Sequence, residues 1–106
     1  MTQGELLLLL YDELLKRLTM AELSLSTHDE AAFKKDLERC REIVDYLAKT
    51  LDLQYPVSRN LKQLYDYFKV HITRIDASRK KGRIDELRDM VRDLRNAFAE
   101  AQKQGI

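Results

Sequence analysis

With 106 residues, 44% of them hydrophobic and only three Gly and one Pro, the chain has the composition of one helical globular domain spanning residues 1–106, and not that of a disordered tail. Charged residues make up 35% of it, yet 19 Lys and Arg against 18 Asp and Glu leave a formal charge of +1, so no global field draws it to nucleic acid or an anionic membrane. The one cysteine, Cys40, cannot close an internal disulfide, and its place on an apolar stripe reads as a small buried thiol in a reducing compartment.

The first helix is expected to begin almost at residue 2, because Thr2 and Glu5 form a Thr-x-x-Glu capping box in which each side chain can satisfy the other residue's backbone N–H. It runs to about Ser26. Leu7, Leu10, Leu14, Leu18, Ala21 and Leu25 recur every three or four residues and line the side that faces a core. Leu6, Leu8 and Leu9 fall outside that stripe. At about 100° per residue, Leu9 and Leu23 lie opposite Leu7 and Leu14, with Met20 close by, so apolar surface is left over once the core is built. The leucine run is not expected to be a leader or a membrane span. No Lys or Arg precedes it, Asp12 and Glu13 interrupt soon after, no small-residue cleavage site follows, and it falls far short of the roughly 20 apolar residues a span requires. The expected location is therefore cytoplasmic, with no membrane insertion.

Thr27-His28-Asp29 supplies a turn and a new cap, after which Phe33, Leu37, Cys40, Val44, Leu47 and Leu51 form the second stripe. Tyr55-Pro56 is expected to end that helix, since proline disfavours helical geometry at the residue before it, and Ser58 is the expected next cap. The third helix shows Leu61, Leu64, Tyr65, Phe68, Ile72 and Ile75, and Lys80-Lys81-Gly82 is expected to stop it. Ile84, Leu87, Val91, Leu94, Phe98 and Ala101 mark the fourth. Four such helices joined by short connections bury their stripes by lying antiparallel, which predicts an all-α, up-down-up-down four-helix bundle roughly 30 to 35 Å long.

No catalytic, cofactor or metal constellation fits this framework. The Glu-x-x-His pairs of a carboxylate-bridged metal site are absent. His28 reads as a turn or solvent residue and His71 as a core-edge one; the residues after His71 lack the Lys and Gly usual downstream of a phosphotransfer histidine. Arg79, Lys80, Lys81 and Arg83 read as a solvated helix end, because the aromatic and base-reading elements of nucleic-acid modules are missing. Surplus apolar surface remains the functional signal: Leu6, Leu9, Met20 and Leu23 on the first helix, and Tyr67 and Val70 pointing away from the stripe of the third.

Particular segments carry a family resemblance. Leu6-Leu7-Leu8-Leu9-Leu10-Tyr11-Asp12, Thr50-Leu51-Asp52, Asn60-Leu61 followed by Leu64-Tyr65-Asp66-Tyr67, and Leu94-Arg95 followed by Phe98 together resemble the FliS-type flagellin export chaperones, in order and across nearly the whole chain. Thr2 and Glu5 fall where that family has a Ser-Pro-Glu-Glu helix start, with Gln3 in place of the proline. Glu13 stands where a small residue is usual, Phe98 where tryptophan is usual, and the family's short arm before the first helix has no counterpart ahead of Thr2. The resemblance implies a non-enzymatic cytoplasmic chaperone that binds the C-terminal segment of flagellin, prevents premature polymerisation and delivers the subunit to the flagellar export apparatus. An otherwise disordered amphipathic peptide would lay its apolar face on the surplus surface and fold there, without cofactor or nucleotide. Two other occupants of that surface stay open. One is a second copy of the chain, in a weak homodimer or a homo-oligomeric helical adaptor; the other is a different flagellar export cargo.

Overall fold

The computed structural model describes residues 1–105 and contains four helices in sequence order: α1 (Gln3–Ser26), α2 (Glu30–Lys49), α3 (Pro56–Ser78) and α4 (Lys81–Lys103). Thr2 caps α1, its Oγ1 accepting the Glu5 N–H at 3.1 Å, which is one half of the expected capping box. At the far end His28 adopts φ 58°, and the Asp29 N–H reaches back to the Ser24 carbonyl at 2.9 Å, closing a left-handed turn that satisfies the last carbonyls of α1. Asp29 then caps α2 by accepting the Ala32 N–H at 3.1 Å.

Three boundaries differ from the sequence expectation. Helix α2 ends at Lys49, well before Tyr55-Pro56, because Thr50 turns its hydroxyl onto the Leu47 carbonyl at 3.0 Å and Asp52 folds the following residues by accepting the Gln54 N–H at 3.1 Å. Ser58 is not a cap. Pro56 opens α3, where its missing N–H costs nothing, and the Ser58 N–H already donates to the Tyr55 carbonyl at 3.0 Å. Finally, the stop after α3 is Arg79, at φ 56°, so Lys81 and Gly82 belong to the first turn of α4. Side-chain anchoring accounts for a left-handed arginine. Its Nε donates to the Asp76 carbonyl at 2.7 Å, its guanidinium pairs with Glu30, and its Cζ lies 4.6 Å from the centroid of the Phe33 ring.

Ion pairs fix the relative directions of the helices. Asp12 meets Arg95 and Glu22 meets Arg88, each at 2.9 Å, so α4 descends as α1 rises. Lys34 pairs with Asp76 at 2.9 Å and Asp45 with Lys69 at 2.7 Å, so α3 runs against α2 in the same way. Each helix packs on its neighbours in sequence and α1 closes the ring against α4; the α1–α2 seam is the most extensive and the α3–α4 seam the sparsest. This is the expected up-down-up-down bundle. Its dimensions are 44 × 23 × 21 Å, longer than the expected 30 to 35 Å.

Stripes from all four helices meet inside. Leu14, Leu18, Phe33, Val44, Leu47, Phe68, Ile72, Ile75, Ile84, Leu87 and Val91 are almost fully buried, each such side chain contributing about 1.5–3 kcal/mol of transfer free energy. Tyr11, which the leucine stripe does not include, is also core: its hydroxyl meets that of Tyr65 at 2.7 Å across the bundle from α1 to α3. Leu7, Leu10 and Leu25, at the ends of the α1 stripe, are only half-buried. Cys40 is fully buried, and burial, with Asp36 next, pushes its thiol up to about 12, so it is an inert core filler.

Candidate functional site

Helix α1 exposes what its core face leaves over. Leu9 is 52% exposed, Leu23 64% and Met20 38%, whereas Leu6 is half-buried. On α3, Tyr67 and Val70 are 43% and 45% exposed. The sequence reading thus found side chains that face solvent, but they do not converge into one patch. Leu9 and Met20 are about 16 Å apart along α1, at 1.5 Å per residue, with exposed Lys16 between them. Helix α3 stands diagonally across the bundle from α1, which keeps Tyr67 and Val70 off the α1 surface.

Leu6, Met20, Leu23 and Tyr67 instead belong to separate local features. Leu6 and Leu10 form one wall of a cleft of about 330 Å³, and Ile43 and Tyr46 of α2 form the other. Met20 and Leu23 line two clefts. One, of about 270 Å³, opens toward Ala32 and Lys35 of α2; the other, of about 670 Å³, opens toward Arg79 and Lys81 at the α3–α4 turn. Tyr67 lies edge-on to His71, with ring centroids 4.9 Å apart.

Sequence reasoning missed a second group of exposed apolar side chains: Tyr46 on α2, and Leu53, Tyr55 and Val57 around the α2–α3 connection. Tyr46 had a readable signal, since it falls off the stripe of Phe33, Leu37, Cys40, Val44 and Leu47 just as Leu9 falls off that of α1. Leu53 and Tyr55 fall in the stretch that the sequence reading assigned to α2, and Val57 lies in the first turn of α3.

Titratable groups inside the bundle are arranged for packing. His71 is buried, its Nδ1 has no hydrogen-bond partner, and burial holds its pKa below the usual imidazole value although Glu86 pulls the other way. Burial likewise raises the Tyr11 and Tyr65 phenols, so their hydrogen-bonded pair stays neutral. On the surface, Arg79 holds the Glu30 carboxyl below its ordinary range and Lys34 does the same for Asp76. Among the described residues no group of His, Cys, Asp and Glu side chains could hold a metal ion, and no helix is long and apolar enough to cross a membrane. What this surface offers is apolar side chains set in shallow clefts between charged residues, the chemistry that holds an amphipathic polypeptide segment.

Comparison with known proteins gives the same direction. The family model described as "Flagellar protein FliS" matches residues 1–105. A protein of Bacillus subtilis (strain 168) named "Flagellar secretion chaperone FliS" is 27% identical over 100 residues, covering 94% of this chain and 75% of that one. A solved structure described as "Crystal structure of flagellar chaperone from bacteria" superposes with a TM-score of 0.90 at 19% identity, over 98% of this chain and 86% of that one, and so shares its fold.

Proposed function

The chain belongs to the FliS family of flagellar proteins, which are chaperones and not enzymes, and from that membership we propose that it holds the C-terminal segment of flagellin in the cytoplasm before export. Occupying that segment keeps subunits from polymerising early and delivers them to the export apparatus. One observation carries the reading: large apolar side chains on α1 and α3 remain exposed around a core that is already filled. Leu6, Leu9, Met20, Leu23, Tyr67 and Val70 are the contacts assigned to the cargo. Their spread over two helices suits a long, otherwise disordered segment that wraps the bundle and orders as it binds. Affinity then comes from apolar burial, reduced by the cost of ordering the peptide.

Calorimetry with a peptide of the C-terminal flagellin segment is the direct test. Binding at micromolar concentration or tighter, with a negative heat-capacity change and more helix in the complex than in its parts, is the expected result. A folded chaperone that ignores the peptide at micromolar concentration removes flagellin as cargo. A stable dimer whose solution mass does not respond to peptide points to self-association through the same side chains.

A further inference from the structure

A cleft of about 670 Å³ lies between the last turns of α1 and the first turn of α4, and its charges are unequally matched. Met20, Leu23 and Leu25 give it an apolar wall. Of the charged side chains lining it, Glu22 is tied to Arg88 at 2.9 Å, and Arg79 is held by Glu30 and by Asp76. Lys81 is exposed and, among the described residues, forms no ion pair. The cleft therefore joins an apolar wall to one uncompensated cation. Helix α4 adds to the imbalance: its first turn holds no acidic residue and its N-cap makes no side-chain hydrogen bond, so the positive end of the helix dipole is not offset there.

We propose that this cleft seats a stretch of the export cargo in which apolar side chains, packed on Met20 and Leu23, stand next to a side-chain carboxylate that pairs with Lys81. The inference rests on the cargo reading above and adds to it a chemical requirement: the bound segment is acidic where it passes the α3–α4 turn. Charge complementarity decides the occupant, because a purely apolar segment would leave Lys81 partly desolvated without a partner and a basic one would be repelled.

Titration of the flagellin C-terminal peptide into the wild-type chain, Lys81→Glu, Lys81→Arg and Leu23→Ala, at low and high salt, tests this. Lys81→Glu is expected to weaken binding about tenfold at low salt, and to recover part of that loss at high salt, where the new repulsion is screened. Lys81→Arg should bind as the wild type does, and Leu23→Ala should lose about fivefold. Misfolding cannot mimic this result, since a carboxylate in the first turn of α4 favours the helix, and thermal melts should show Lys81→Glu at least as stable as the wild type. Peptide binding that is unchanged or tighter in Lys81→Glu overturns the inference and leaves the chaperone reading standing. Failure of the wild-type chain to bind the peptide overturns both.

Discussion

The two faces of α1 are built from the same residue type and do different work. On one face Leu14 and Leu18 are fully buried, with Tyr11 and Ala21 beside them; on the other Leu9 and Leu23 are more than half exposed. Composition does not separate them. What does is the position of each side chain around the helix axis, since only one face can meet the rest of the bundle, and leucines beyond that face gain nothing from folding. A leucine kept on the outer face is thus evidence about a partner, whereas one on the inner face is evidence about stability.

Truncation should show the contrast most strongly. Leu14→Ala is expected to cost about 2–5 kcal/mol in denaturant melts, from lost burial and the cavity left behind. Leu9→Ala should change stability by about 0.5 kcal/mol and yet weaken binding of the flagellin peptide by about 1 kcal/mol or more. Equal destabilisation by both, with binding unchanged, would erase the distinction between the faces.

A smaller effect lies within the inner face. Tyr11→Phe removes one of two hydroxyls that satisfy each other 2.7 Å apart in the core, leaving that of Tyr65 buried without its partner, at a cost of about 1–3 kcal/mol. The double variant Tyr11→Phe/Tyr65→Phe should lose less than the sum of the single variants, and strict additivity would mean that the hydroxyls do not act as a pair.

The smallest expected effect concerns the outer face of α3, where Tyr67 rests against buried His71. Burial depresses the folded-state pKa of His71 below 6.5, so the unfolded chain takes up its proton first as the pH falls. Its contribution to stability is therefore complete above about pH 6.5 and is lost as the pH drops from there through the depressed value. Melts taken on both sides of that range should show the loss in the wild type and a flatter profile in His71→Phe. Identical profiles would mean that His71 is as free to protonate in the folded chain as in the unfolded one.

Sequence alone determined the helices, their order and most of the core, because stripes such as Phe33-Leu37-Cys40-Val44 repeat at the period of an α-helix and burial follows that period. It also separated Leu9, Met20 and Leu23 from the core, since an outward angle on a helix is a local property. Boundaries set by side chains escaped it. Thr50 closing α2 early and Arg79 held left-handed by Glu30, Asp76 and Phe33 depend on hydrogen bonds and, for Arg79, on a neighbouring helix. The buried place of Tyr11 escaped for a related reason: its hydroxyl is satisfied only by Tyr65, 54 residues away. Tertiary structure also decided how the exposed apolar residues are grouped, since whether Met20 and Leu23 meet Tyr67 or Lys81 depends on which helices are neighbours. Packing α4 beside α1, with α3 on the diagonal, turned one expected patch into separate clefts.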